Sequence, residues 1–261
     1  MRYRMLFFTA TFTILAVLGA HASLQDPANT SEKPLYRPYG NEASVVGTIR
    51  VTGKLPPPKL IDMSADPVCV QRSKTPKVEW VVSTQQKLQN AFVYIKEGDA
   101  LKLYRFEVPE SEVVLQHKNC RYSPHVLGVR TGQRLSFVNG DPTTHNTHPT
   151  PKFNLEWNMS QAAGGPPLIN TFARAEVAIP FKDNQHPWEK AYVAVLDHPF
   201  FAVSDKLGNF EIRGLPIGTY KLVVWHEVLG EQETEITLVP GETRKIDFTF
   251  DVDKVNLSGR H

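Results

Sequence analysis

Between residues 45 and 250 the chain is written in short runs of β-branched and aromatic residues that alternate in polarity, and this pattern is incompatible with a helical fold. Twelve such runs predict strands near 45–52, 78–82, 91–96, 113–116, 126–130, 134–139, 172–179, 192–196, 209–213, 220–225, 234–239 and 244–250. Gly- and Pro-rich turns separate them, and many short strands so spaced predict an all-β chain of one or two β-sandwiches. A helical turn is expected only near 109–112. The segment 140–170 interrupts the rhythm with Pro, Asn, Gly and Thr, and reads as a long functional or disordered loop.

The amino-terminal residues predict export. Arg2 and Arg4 precede an uncharged apolar run from Met5 to Gly19, and Ala20-His21-Ala22 supplies small residues at a cleavage site. A signal peptide over residues 1–22, cut after Ala22, is the expectation, with an uncleaved anchor as the alternative. The apolar run falls short of the roughly 20 residues a stable span needs, and no later stretch could cross a bilayer. A polar leader is expected over 23–43. Removing residues 1–22 takes two Arg from 29 basic residues and none from 27 acidic ones, so the mature chain has no net formal charge. No Lys/Arg block marks a nucleic-acid face. The expected location is the periplasm or the exterior.

The chain has two cysteines, Cys69 and Cys120. In an exported chain they read most simply as one disulfide; the alternative makes one of them a metal thiolate.

The tail carries a motif of its own. Asp205-Lys206-Leu207-Gly208-Asn209-Phe210 reads as a turn into a strand, with Gly208 free to take positive φ, and Leu215-Pro216-Ile217-Gly218-Thr219-Tyr220 as a second. The pattern DxxGxF…LPxGxY resembles the carboxypeptidase regulatory-like, transthyretin-like β-domain. That resemblance implies a small β-sandwich at 197–252, a tail at 253–261, and no activity.

A second resemblance rests on Cys120-Arg121-Tyr122-Ser123-Pro124-His125-Val126, on the GQxLxxxNxDxxxHNxH pattern from Gly132 to His148, on His186-Pro187-Trp188 and on Trp225-His226-Glu227. These residues resemble secreted bacterial proteins with a plastocyanin-like, cupredoxin-like domain, which implies a cupredoxin-like β-sandwich over 44–196. The resemblance also implies one copper, held by a His on one loop and by Cys, His and Met on a second. The second loop of the resembled group reads Cys-Asp-Val-His-Pro-Trp-Met. Here Asp183 stands at the thiolate position and Glu189 at the thioether position, so the soft ligands of a blue copper centre are missing.

The resemblance then leaves a candidate metal set of His145, Asp183, His186 and Glu189, with His148 and Trp188 around it. Imidazoles and carboxylates suit zinc or another divalent ion by ligand type, and copper by resemblance. A decayed, metal-free site on a solvated rim is the competing reading. His125 reads as a structural hydrogen-bonding residue, Trp188 as a packing lid, and His226-Glu227 as lining a domain interface. His117 and His261 carry no signal. There is no Gly-x-Ser-x-Gly elbow, no His-Glu-x-x-His and no phosphate loop, which gives no support to an enzyme. Three functions follow: an exported metal-binding protein without a blue copper centre, a metal-free accessory or scaffold subunit with a periplasmic redox or envelope partner, and a metal-dependent enzyme.

Overall fold

The computed structural model describes residues 32–55, 60–73 and 82–254. In chain order the strands are β1 (Ala43–Thr52), β2 (Val82–Ser83), β3 (Lys87–Leu88), β4 (Phe92–Gly98), β5 (Val113–His117), β6 (Tyr122–Ser123), β7 (Val126–Arg130), β8 (Leu135–Asn139) and β9 (His145–Pro149). They continue as β10 (Met159–Gln161), β11 (Leu168–Asn170), β12 (Glu176–Lys182), β13 (Lys190–Leu196) and β14 (Phe201–Val203). The last are β15 (Asn209–Leu215), β16 (Gly218–His226), β17 (Gly230–Leu238), β18 (Thr243–Lys245) and β19 (Phe248–Asp251). Two short helices, α1 (Pro67–Arg72) and α2 (Asp99–Leu103), are added.

The chain is therefore all-β, and among the described residues its strands form four sheets. One sheet has β1 at its centre, bonded to β15, β3, β18 and β19; a second runs β14-β4-β16-β17. Val45, Ile49, Val51, Val93, Ile95, Leu222, Val224 and Phe250 fill the space between these two. A third sheet runs β10-β9-β12-β13-β7 and a fourth β11-β8-β5-β6, with Leu115, Phe137, Phe181 and Val193 between them. A smaller cluster of Phe92, Tyr94, Val126, Ala194, Leu196 and Val223 joins β4 and β16 to β7 and β13. Inward alternation explains the pairing of layers: β1 buries every second residue from Ala43 to Val51.

Ten of the twelve expected strands coincide with observed ones, within a few residues at their ends; the one at 244–250 is divided into β18 and β19, and the one at 78–82 falls almost wholly outside the described residues. The 109–112 segment is not helical, and 140–170 contains β9, β10 and β11. The expected division into 44–196 and 197–252 does not follow the sheets. β1 and β4 lie before it in sequence, yet they sit inside the sheets formed by β14 to β19. The reason is geometric: without β1, strands β15, β18 and β19 share no neighbour, and without β4 nothing joins β14 to β16. The leader also packs where it is described: the Tyr36 N–H donates to Arg105 O, and its ring meets those of Tyr104 and Phe106. The expected signal peptide (residues 1–22) and His261 lie outside the described residues.

Gly208 takes φ of +72°, as the turn demanded, and its Cα faces Ile49 O so closely that a Cβ would stand 2.4 Å away. Cys69 and Cys120 form the expected disulfide. It ties α1 to the loop before β6, where Asn119 and Cys120 both take left-handed conformations. The Asp141 carboxylate accepts both of their N–H groups, at 2.8 and 2.7 Å, and holds that bend.

Candidate metal centre

Two sheets meet at one end of the third and fourth layers, and the candidate residues collect there. His145 opens β9. β12 pairs antiparallel with β9, Lys182 opposite His148, so the register carries His145 beside the loop that follows β12. That loop, 183–189, bears Asp183, His186 and Glu189 before β13 begins. It is a turn built on Asp183, whose Oδ1 accepts the N–H groups of Gln185 at 2.8 Å and His186 at 3.1 Å. The Glu189 N–H then donates to His186 O at 2.8 Å.

The turn brings the expected set together. His145 Nδ1 lies 2.8 Å from Asp183 Oδ2 and 3.1 Å from Glu189 Oε1, and His186 Nδ1 lies 3.1 Å from the same Asp183 oxygen. All four side chains are buried. Buried carboxylates this close need a cation or several strong donors to be tolerated. The supply is incomplete: Glu189 Oε1 and His145 Nε2 are buried without a hydrogen-bond partner.

Three residues that sequence reasoning did not assign also enter. His117, at the end of β5 in the opposite sheet, places Nδ1 2.8 Å from Glu189 Oε2 and Nε2 3.1 Å from Thr147 Oγ1. Asp66, which caps α1 by accepting the Val68 N–H, reaches His186 Nε2 at 2.9 Å. Asp141 Oδ2 stands 3.4 Å from His145 Nε2. In the sequence His117 carries no signal: nothing in its neighbours Gln116 and Lys118 marks it, and the pairing of two sheets alone reveals it. Asp141 did belong to the motif and offered a clue through its spacing of four from His145.

The electrostatics are those of a charged, buried cluster. Burial disfavours an ionised Asp141, yet His145 and the N–H groups of Cys120 and Asn119 bring its pKa down to about 2. Burial also opposes ionisation of Asp183, but hydrogen bonds from His145, Asn146 and His186 hold its carboxyl well below the usual carboxylate range. For His145 burial favours the neutral ring, and the surrounding Asp141, Asp183 and Glu189 overcome it, raising the pKa to about 11.

The outlying expected residues sit elsewhere. His148 faces away, with Nδ1 3.0 Å from Asn184 Oδ1 and Nε2 2.8 Å from Glu156 Oε1. Trp188 lies over His186 at 5.2 Å between ring centroids, donates Nε1–H to Cys120 O, and packs on the disulfide. His125 takes Glu227 Oε1 at 2.6 Å, linking the start of β7 to the end of β16. His226 Nδ1 accepts the Val228 and Leu229 N–H groups and shapes the next turn.

A blue copper centre does not fit, because both cysteines are spent in the disulfide and a carboxylate stands at residue 183. The donor set of imidazole nitrogens and carboxylate oxygens is of the kind that suits a divalent ion, and Glu189 Oε1, 3.1 Å from His145 Nδ1, makes no hydrogen bond of good geometry.

Residues 182–251 match the family model of the carboxypeptidase regulatory-like domain. No curated protein matches the chain. Among solved structures, similarity is found to a Cu-containing nitrite reductase from Thermus scotoductus SA-01, with 18% identity, a TM-score of 0.31, and 39% of this chain and 27% of that one covered. The chain thus spans about a quarter of that reductase. Amicyanin from Paracoccus versutus shows 18% identity and a TM-score of 0.30 over 40% of this chain and 96% of that one. A purple cupredoxin from Nitrosopumilus maritimus shows 20% identity and a TM-score of 0.28 over 33% of this chain and 98% of that one. The chain is all-β with a carboxypeptidase regulatory-like segment, and it resembles cupredoxins over about two fifths of its length.

Proposed function

We propose that this chain is an exported metal-binding protein whose centre is built from imidazole and carboxylate ligands in place of the sulfur ligands of a blue copper site. The observation that carries this reading is the shared demand on His145 Nδ1: Asp183 Oδ2 and Glu189 Oε1 both approach it, at 2.8 and 3.1 Å. One N–H cannot fully serve two carboxylate oxygens, whereas one divalent ion can accept both. His145, Asp183 and Glu189 are the constant part of the proposed centre, and His186 adjoins it through Asp183. When bound, zinc or copper(II) would supply Lewis acidity or one-electron chemistry there. The protein holds the Asp183 carboxyl ionised, covers His186 with Trp188, and tethers the loops nearby with the disulfide.

Export is supported by the disulfide, which persists in oxidising compartments, and among the described residues no helix is long and apolar enough to cross a membrane. A metal-free scaffold is the second reading. It is favoured by the elevated pKa of His145, since an imidazolium there neutralises one carboxylate without a metal.

Metal analysis of the full chain, purified without added metal and then dialysed against Zn²⁺ or Cu²⁺, tests the proposal. One bound ion per chain, lost in His145→Ala and kept in His148→Ala, is the expected result. Absence of bound metal after dialysis, or equal content in both variants, would leave the scaffold.

A further inference from the structure

The proposed centre has one imidazole, His145, in direct contact with both carboxylates, and two rings compete to be the second. We infer that His117 supplies it, and that His186 acts from outside the centre as a positioning residue for Asp183. This rests on the metal-binding reading above and sharpens it.

Four observations carry the choice. Ligand atoms of His117, His145, Asp183 and Glu189 all lie within 4.8 Å of one another, and all four residues are fully buried. The His117 and His145 rings stack with centroids 4.4 Å apart and planes 8° from parallel, so one ring has to tilt for the two in-plane Nδ1 lone pairs to meet at one ion. Their Nδ1 atoms are turned to the same carboxylate, His117 to Glu189 Oε2 at 2.8 Å and His145 to Glu189 Oε1 at 3.1 Å. A cation drawn to Glu189 would meet the His145 nitrogen and, once the stack tilts, the His117 nitrogen beside it.

The far side of the His117 ring is also arranged for a ligand. Its Nε2 lies 3.1 Å from Thr147 Oγ1, a hydroxyl that can accept the Nε2–H and so leave the Nδ1 lone pair for a metal. Imidazole ligands in proteins are commonly held in this way by an oxygen on the second nitrogen.

His186 differs in what surrounds it. Its two nitrogens are already divided between two acids, Asp183 Oδ2 at 3.1 Å and Asp66 Oδ2 at 2.9 Å. Asp66 is in turn anchored as the cap of α1 and by the Thr143 hydroxyl at 3.0 Å. His186 thus bridges Asp66 to Asp183 and fixes the Asp183 carboxylate, while its backbone N–H braces the other oxygen of the same group. The resulting inner set is two imidazoles and two carboxylates, an arrangement suited to zinc or copper(II).

The test uses the full chain loaded with Cu²⁺ and the nitrogen couplings in its electron paramagnetic resonance spectrum. Two coupled imidazole nitrogens are expected in the wild type, one in His117→Gln, and two in His186→Gln with altered copper parameters. His117→Gln should weaken Cu²⁺ binding at least tenfold, and Thr147→Val should weaken it while keeping both couplings. Loss of a coupling in His186→Gln with none lost in His117→Gln would overturn the assignment. Because a buried substitution can prevent folding, the wild type offers a second measurement. With ¹⁵N-labelled histidine and Zn²⁺, Nδ1 of His117 and His145 should move to metal-bound chemical shifts, and His186 should not. A wild-type chain that takes up neither ion overturns the metal reading itself, whereas a loaded chain with His117 unshifted overturns only this inference.

Discussion

Asp66 and His186 stand 120 positions apart in the chain, yet Asp66 Oδ2 lies 2.9 Å from His186 Nε2. The helix that Asp66 caps carries Cys69, and the Cys69–Cys120 bond ties it to the loop beside Asp141. Arg72, in the last turn of that helix, pairs with Asp141 at 3.4 Å. One short segment thus holds acids and bases from three separate parts of the chain in register.

Breaking that tether should loosen the whole corner. Cys69→Ser with Cys120→Ser is expected to lower stability by about 2–5 kcal/mol, and Asp66→Ala by about 1 kcal/mol or more, because it loses a helix cap and leaves His186 half paired. Urea unfolding curves of the oxidised wild type and both variants measure this. An unchanged midpoint in the double variant would show that the tether contributes nothing.

Restoring sulfur should restore colour. Asp183→Cys places a thiolate beside His145 and His186, and with Cu²⁺ it is expected to give an intense visible band that the wild type lacks. The variant should also melt at lower temperature, since it loses the acceptor for the Gln185 and His186 N–H groups. Absorption spectroscopy of the copper-loaded proteins decides, and a colourless variant with bound copper would place residue 183 outside the centre.

Acid should weaken the fold before the carboxylate cluster titrates. Burial lowers the pKa of His198 to about 4, with Arg130 adding to the shift, and burial likewise lowers that of His226 to about 4. Both folded values lie below the ordinary 6.5, so the unfolded chain binds more protons between these limits. Stability is then fully present above pH 6.5, falls as the pH drops towards 4, and loses about 3 kcal/mol per histidine. Asp141, with its pKa near 2, does not contribute in that window. Unfolding midpoints of metal-free protein from pH 7 to 4 should show the fall, and His198→Phe should flatten it. A flat profile in the wild type would contradict the assignment of both rings as neutral.

The seam between the second and third sheets should tolerate no side chain at Gly128. A Cβ there would stand 2.4 Å from the Phe201 ring and 2.9 Å from that of Phe92. Gly128→Val is expected to cost about 1–3 kcal/mol from overpacking, read as a lower thermal midpoint, and an unchanged midpoint would mean the rings can shift freely.

Local pattern made most of the strands legible. Alternation at 45–52 and 209–213 needs only a buried and a solvated face, and both segments form strands where expected. The Gly208 turn and the disulfide were legible for the same reason, since backbone conformation and redox chemistry are properties of the residues themselves. The partition of strands between sandwiches was not legible. β1 hydrogen-bonds to β15 and β19, over 150 residues away, and no feature of residues 43–52 names those partners.

By itself the sequence determined an all-β chain, its turns and its pair of cysteines. Those follow from side-chain chemistry read over a few residues at a time. Only the tertiary structure decided that β1 and β4 complete the carboxy-terminal sandwich, that His117 and Asp141 close around His145, and that Asp66 meets His186. Such choices depend on which sheet faces which, and that is settled by the burial of apolar faces distributed along the whole chain.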